Sequence, residues 1–284
     1  MPQAPEWDAV ADPQGDGEFS GGVVLCHGFS RGPRAMSALA WRCQATGLRT
    51  FRPAYPSFGR HGLNSSRLVT QLADLIAALP GVARERRPGL VLVGHSAGAA
   101  VAAALSRRLV ARSIRVAGLV FVDGVDNRAE MVKDVVESTD APALPAILLV
   151  DSRPSRCNRE GALSRMLLET VPVVGGWQIH GAGHGDVERW IPGAPGIVNG
   201  PVGHARSRPG MAYRLACGDA SDLSTAALVQ TLAELSVARL AAERVAEGPW
   251  TMSELAQIQA AAGAVASGPR DTVTTLLPSS ARGH

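Results

Sequence analysis

The sequence lacks long apolar runs, a strong net charge and clustered cysteines. No stretch reaches the roughly 18 apolar residues that a transmembrane helix needs, so no membrane span is predicted. A net charge of +3, with arginines scattered along the chain, does not favour binding to nucleic acid. Cys26, Cys43, Cys157 and Cys217 have no C-x-x-C spacing, which argues against a zinc site or a dense disulfide framework. Cys157 and Cys217 could pair in an oxidising compartment, but we expect buried free thiols.

The chain is expected to have three parts. We predict a flexible N-terminal segment at residues 1–21, one α/β domain at residues 22–247, and a C-terminal helix with a mobile tail at residues 248–284. The N-terminal segment is polar and acidic and has neither the charged start nor the apolar centre of a signal peptide. A cytoplasmic location is therefore predicted.

From residue 22 onward, short apolar runs alternate with helical patterns. Strands are predicted at 22–26, 48–52, 90–93, 116–122, 146–150 and 177–180, and helices at 33–46, 65–79, 99–112, 128–137, 160–170, 223–246 and 252–266. This alternation indicates an α/β fold, a doubly wound and mostly parallel sheet with helices on both faces. The interval between Asp123 and Ala146 holds little more than one helix, so no large lid domain is expected.

One stretch combines a strand, a tight turn and a helix. Residues 90–98 read Leu-Val-Leu-Val-Gly-His-Ser-Ala-Gly, and an Ala-rich helical pattern follows them. A G-x-S-x-G pattern arises by chance in a Gly-rich chain, but between a buried strand and a helix it is typical of a nucleophile elbow. Ser96 is therefore the candidate nucleophile. The alternative is a Gly-rich turn whose serine only caps the helix.

A serine nucleophile needs a histidine to take its proton and a carboxylate to orient that histidine. His184 is the best candidate for the base because it lies in a Gly-rich loop after the last predicted strand. His180 is closer to the strand and is expected to be packed, and the glycines around His184 disfavour a helical zinc pair, so no metal is expected. His95 is expected to be structural, and His27 to order the turn around it.

The choice of acid stays open on the residues alone. Asp123 follows the strand after the Ser96 helix, and Asp151 follows the next strand. Both positions are allowed because neighbouring strand ends can reach the same histidine. Asp126 lies past the turn and could cap the following helix, and Asp186 is too close to His184 to be its usual partner.

The backbone N–H groups of Phe29 and Ala97 are predicted to form an oxyanion hole. Phe29 comes after the first strand, in a His-Gly-Phe turn, and Ala97 comes directly after Ser96. Phe29, Tyr55 and Trp177 are candidates for an apolar substrate pocket, with an ordinary core position at least as expected for Trp177.

With these motifs in place, the chain resembles the α/β-hydrolase superfamily over most of residues 22–246. The His-Gly-Phe turn at 27–29, the pattern at 94–98 and the chain order Ser, Asp, His carry this resemblance. Segments 122–126 (Val-Asp-Gly-Val-Asp), 154–158 (Pro-Ser-Arg-Cys-Asn) and 181–184 (Gly-Ala-Gly-His) resemble the chlorophyllase-like and dienelactone-hydrolase-like group, which includes cutinase-like polyesterases.

Within that group, the chlorophyllase-like pattern implies Asp123 as the acid, whereas cutinase-like and dienelactone-type relatives imply Asp151. We favour Asp123. Ala97 stands where the plant enzymes commonly have arginine, so a chlorophyll substrate is not implied.

The resulting prediction is a serine esterase that cleaves small-molecule or polymeric carboxylic esters through an acyl-enzyme intermediate. Its triad is Ser96, His184 and Asp123, and no metal or organic cofactor is implied. Two alternatives stay open, an acyltransferase with the same triad and a non-catalytic ligand-binding protein on the same fold. The sequence does not indicate an oligomeric state.

Overall fold

The central sheet is built from short runs of valine, leucine and isoleucine that are buried on both faces. The computed structural model describes residues 6–7, 22–59, 61–79, 89–126, 130–137, 145–170, 173–188, 217, 223–242 and 273–276. The strands are β1 (Glu6–Trp7), β2 (Gly22–Cys26), β3 (Arg49–Phe51), β4 (Pro53–Ala54), β5 (Leu90–His95), β6 (Val116–Val122), β7 (Ile147–Ser152), β8 (Val173–Ile179) and β9 (Val273–Leu276).

Seven of these strands form one sheet in the order β3-β2-β5-β6-β7-β8-β9. Neighbours from β3 to β8 are parallel, and β9 joins the β8 edge antiparallel. The predicted α/β fold with a mostly parallel sheet is therefore confirmed. Short β1 and β4 pair antiparallel outside this sheet.

Helices cover both faces of the sheet. They are α1 (Ser37–Ala45), α2 (Ser66–Ala77), α3 (Gly98–Val110), α4 (Met131–Glu137), α5 (Ala162–Thr170) and α6 (Leu223–Ala241). Strand β5 shows how one sequence supplies two cores, since Leu90 and Leu92 pack among α2, α3 and α5 while Val91 and Val93 pack among α1 and α6. Between Asp123 and Ala146, the described residues contain the single helix α4.

The strand register brings the functional turns to one edge. Cys26 pairs with Gly94, His95 with Val122, and Val122 with Val150, so β2, β5, β6 and β7 end at nearly the same level. Ligands of open α/β sheets bind at this carboxyl edge. The loops that follow these strands therefore lie side by side, and they carry the candidate site residues.

The structure adds two short strands and corrects one expectation. Residues 6–7, in the segment predicted to be flexible, pair with β4, and residues 273–276, in the predicted mobile tail, form the edge strand β9. Cys157 and Cys217 form a disulfide rather than two free thiols, because their Cα atoms lie 5.0 Å apart. The predicted helix over 252–266 lies outside the described residues. None of the described helices is long and apolar enough to cross a membrane.

Candidate active site

Ser96 lies on a strained turn between β5 and α3. Its φ of 54° falls in the left-handed region that residues with a side chain rarely adopt. The flanking glycines permit this close packing, since a Cβ at Gly94 would lie 2.4 Å from Ala99 Cα and one at Gly98 would lie 2.2 Å from the Cys26 carbonyl oxygen. The helix thus begins directly against the backbone of β2, and the Ser96 hydroxyl is placed beyond the end of the sheet.

The structure brings His184 and Asp123 to Ser96. The Ser96 Oγ lies 2.9 Å from His184 Nε2, and the opposite ring nitrogen, Nδ1, is paired with Asp123 Oδ2. All three residues are buried. A carboxylate on Nδ1 holds the ring in the tautomer that leaves Nε2 free to accept the hydroxyl proton.

Asp123 is itself fixed by two donors. Its Oδ1 accepts hydrogen bonds from the Ser152 backbone N–H at 3.0 Å and from Asn158 Nδ2 at 2.9 Å, and its φ of 47° is again in the left-handed region. Burial alone raises the pKa of this carboxyl, but the hydrogen bond and charge of His184 and these two donors hold it below the ordinary value. Asp123 is therefore an oriented carboxylate at neutral pH.

The structure does not bring the three other candidate aspartates to the His184 ring nitrogens. Asp151 is buried, and desolvation together with the nearby Asp123 charge raises its pKa to about 8. Asp126 caps α4 by accepting from the N–H groups of Val132 at 3.0 Å and Lys133 at 3.1 Å. Asp186 accepts from the Gly183 N–H at 2.8 Å and so closes the loop that holds His184.

The predicted oxyanion donors belong to Ala97, the residue after Ser96, and to Phe29, the residue after Gly28. A Cβ at Gly28 would lie 2.7 Å from Ser96 Cβ, so the turn before Phe29 runs directly against the serine. Tyr55 holds this turn, because its hydroxyl donates to the His27 carbonyl at 2.9 Å and its ring stacks on the His27 ring. Neither the Phe29 N–H nor the Ala97 N–H donates a hydrogen bond to another described residue.

The three candidate pocket aromatics have different surroundings. Phe29 is 49% exposed and contacts Phe58, which is 71% exposed, edge to face with ring centroids 4.9 Å apart. Tyr55 is buried under the His27 turn, and Trp177 belongs to the core beneath α1 and α6. Among the three, Phe29 is the aromatic that an incoming molecule can touch.

Two side chains of the site were not predicted from the sequence. Asn158 supports Asp123, and Glu188 pairs with His95, which was expected to be only structural. The sequence feature that could have pointed to Glu188 is its position, since it is a carboxylate only four residues after the candidate base His184. Within the described part of the chain, no group of three or more His, Cys, Asp or Glu side chains is arranged to hold a metal ion.

Comparison with known proteins agrees with this fold. A family model described as the alpha/beta hydrolase family matches residues 23–247. No curated protein matches the chain.

Several solved structures are similar. The ferulic acid esterase from Streptomyces cinnamoneus is 16% identical with a TM-score of 0.55, and the match covers 93% of this chain and 75% of that one. A lipase-esterase related protein from Clostridium acetobutylicum is 9% identical with a TM-score of 0.43, covering 60% and 87%. An extracellular alpha/beta-hydrolase from a Paenibacillus species is 21% identical with a TM-score of 0.29, covering 37% of this chain. The match spans only 41% of that protein's length.

Proposed function

Since this chain belongs to the α/β-hydrolase family, we propose that it is a serine esterase that cleaves carboxylic esters through an acyl-enzyme intermediate. One observation carries the proposal. Ser96 Oγ lies 2.9 Å from His184 Nε2 on a left-handed turn, while Asp123 meets the other nitrogen of the same ring. A serine held in this way is an activated nucleophile.

Acylation begins when Ser96 Oγ attacks the ester carbonyl and its proton passes to His184 Nε2. In this proposal, the developing oxyanion accepts hydrogen bonds from the N–H groups of Phe29 and Ala97, which belong to the two turns that meet at Ser96. Asp123 stabilises the imidazolium and does not itself take the proton. His184 then donates that proton to the leaving alkoxide, so the alcohol departs and the acyl group stays on Ser96.

Deacylation repeats these steps with water. His184 takes a proton from a water molecule, the resulting hydroxide attacks the acyl carbonyl, and the carboxylic acid leaves as Ser96 recovers its proton. Each step uses side chains and backbone groups of this chain alone. No cofactor is required by the chemistry.

The substrate proposal is an ester with an apolar group next to the carbonyl. Phe29 presents an exposed ring one residue from the Gly28 contact with Ser96, and Phe58 extends that apolar surface. The resemblance of segments 122–126 and 181–184 to chlorophyllase-like and cutinase-like proteins also favours an ester, either small or polymeric. An ester panel that varies acyl and alcohol length would locate the substrate within this class.

The decisive experiment is covalent labelling with a fluorophosphonate, which reacts with activated serines. We expect one label on Ser96 in the folded protein and none on Ser96→Ala, with p-nitrophenyl ester hydrolysis lost in parallel. The reactive serine is identified by mass spectrometry of the labelled peptide. Absence of labelling in the folded wild type, or equal labelling of Ser96→Ala, contradicts the proposal.

A further inference from the structure

A second acid–histidine pair lies directly behind the first. Arg31 Nε contacts Glu188 Oε2 at 2.7 Å, and Glu188 Oε1 lies 3.0 Å from His95 Nδ1. On the far side of the ring, His95 Nε2 donates to the backbone carbonyl of His184 at 2.8 Å. The side chains of His95 and Glu188 are only 2% and 3% exposed, so water does not screen this pair.

The two partners of the His95 ring favour a hydrogen on each ring nitrogen. A carbonyl oxygen only accepts, so Nε2 must carry a hydrogen to bond the His184 carbonyl. Nδ1 faces a carboxylate oxygen that also only accepts, and the Arg31 guanidinium keeps that carboxylate ionised. This set of partners favours a hydrogen on both ring nitrogens, which makes His95 an imidazolium at ion-pair distance from Glu188.

The charged groups around His95 are consistent with this state. Burial alone lowers the pKa of His95, but the charge and hydrogen bond of Glu188, the His184 carbonyl and the Asp123 charge raise it above the ordinary value. Burial raises the pKa of Glu188, but the charges of His95 and Arg31 outweigh this effect, so the pKa of Glu188 lies below its ordinary value. His27, on the neighbouring turn, has a pKa lowered to about 4 by desolvation and stays neutral. The His184 ring lies 5.0 Å from the His95 ring between centroids.

We propose that Arg31, Glu188 and His95 form a buried relay that positions His184 against Ser96. This inference rests on the proposed esterase function, but it concerns a part of the site that touches no reacting atom. His95 directly precedes Ser96 in the chain, and its side chain is hydrogen-bonded to the backbone carbonyl of His184. This one hydrogen bond therefore ties the backbone that carries the nucleophile to the backbone that carries the base. A displacement of about 1 Å between reacting groups lowers a rate by about 100-fold. His95 is thus a positioning residue.

A pair of isosteric variants tests this role. In His95→Gln the amide nitrogen takes the place of Nε2 and can still donate to the His184 carbonyl, whereas in His95→Asn it takes the place of Nδ1 and falls short. We expect His95→Asn to lower kcat for a p-nitrophenyl ester by about 10- to 100-fold with KM little changed. We expect His95→Gln to recover about tenfold of that loss. Equal kcat values in the two variants, or a wild-type kcat in His95→Asn, contradict the relay.

His61→Gln is the matched control, because its amide takes the place of Nε2 and so loses the contact that Nδ1 makes. It removes another buried histidine that pairs with a side chain, Gln71 Oε1 at 2.7 Å, outside the candidate active site. We expect it to lower the melting temperature while leaving kcat unchanged. Loss of kcat in this control to the same degree as in His95→Asn would mean that the relay variants act through stability alone.

A measurement without substrate separates this inference from the proposed function. In protein labelled with ¹⁵N at histidine, we expect the His95 nitrogens at pH 7 to give the imidazolium signature, and in Glu188→Gln the neutral one. The signal is assigned by its disappearance in His95→Asn. A neutral His95 in a wild type that still takes a fluorophosphonate label overturns the relay alone, whereas an unlabelled wild type with a cationic His95 overturns the esterase proposal alone.

Discussion

Asp123 and Asp151 lie at the ends of neighbouring strands, and their different surroundings favour the charged form of Asp123 and the neutral form of Asp151 at pH 7. Asp123 is held below its ordinary pKa by His184, Asn158 and Ser152 even though burial opposes this. Asp151 accepts a hydrogen bond from Ser164, but burial and the nearby Asp123 charge outweigh it and raise the pKa of Asp151 to about 8. Two adjacent buried carboxylates do not both ionise readily, so the one with more donors, Asp123, takes the charge.

Replacing each aspartate by asparagine should separate their roles. Asp123→Asn places an amide against His184 Nδ1 and favours the wrong tautomer, so we expect kcat/KM for a p-nitrophenyl ester to fall by about 10⁴. Asp151→Asn exchanges one neutral group for another at pH 7, so we expect a change of only a few-fold. Circular dichroism checks that both variants fold. A large loss in Asp151→Asn alone would reverse the assignment of the acid.

The raised pKa of Asp151 also predicts how stability depends on pH. The folded pKa of about 8 lies above the ordinary 3.8, so between these values the folded protein holds one proton more than the unfolded chain. The contribution of this group to the free energy of unfolding therefore falls as the pH rises from about 4 to about 8. Asp151→Asn removes the titration, and its advantage in melting temperature over wild type should grow from pH 5 to pH 8. A constant difference between the two proteins contradicts the expectation.

At the scale of elements, the start of α3 positions the nucleophile. The helix begins at Gly98, where the missing side chain allows its backbone to touch the end of β2. The turn at Ser96 is also tied to the next strand end, because the Ser96 carbonyl accepts from the Val125 N–H at 3.0 Å. A shift of α3 would therefore move the serine and the loop that carries Asp123 together.

Gly98→Ala should test this coupling. Its Cβ would meet the Cys26 carbonyl oxygen at 2.2 Å, so α3 must move, and we expect the free energy of unfolding to fall by about 1–3 kcal/mol. Fluorophosphonate labelling of Ser96 should slow as well. Gly32→Ala is the control, because its φ is −136° and no atom lies within 4 Å of the added carbon. We expect Gly32→Ala to stay within about 0.5 kcal/mol of wild type in urea unfolding. Similar losses in both variants would contradict the argument.

The sequence predicts elements and strand ends better than it predicts pairings. The alternation of apolar runs and helical patterns placed Ser96, Asp123 and His184 in loops at one edge, because parallel strands all end there. The contacts from Asn158 to Asp123 and from Glu188 to His95 span loops that have no periodic pattern, so no local signal predicted them. Strand β9 was missed for a related reason, since four residues in a polar tail acquire their structure only by pairing with β8.

Across the whole molecule, a covalent bond joins a loop of the site to a distant part of the chain. The disulfide joins Cys157 to Cys217, which are 60 residues apart in the sequence. The residue after Cys157 is Asn158, whose side chain donates a hydrogen bond to Asp123. Disulfides persist in oxidising compartments, so this bond weighs against the cytoplasmic location predicted from the N-terminal residues. Cys26 and Cys43 are free and buried, and desolvation raises the pKa of both thiols, that of Cys26 to about 12, so neither competes for the bond.

Reduction of this disulfide should lower stability by a measurable amount. A bond that closes a long loop restricts the unfolded chain, so we expect reductant to lower the free energy of unfolding by about 2–4 kcal/mol. The double variant Cys157→Ser, Cys217→Ser is the control, since it should start at the reduced value and show no response to reductant. Thiol titration of the denatured, unreduced wild type should count two reactive cysteines, because Cys26 and Cys43 are free and the other two are bonded. Four reactive thiols, or a wild-type melting temperature that does not respond to reductant, contradict the disulfide and restore the expectation of free thiols.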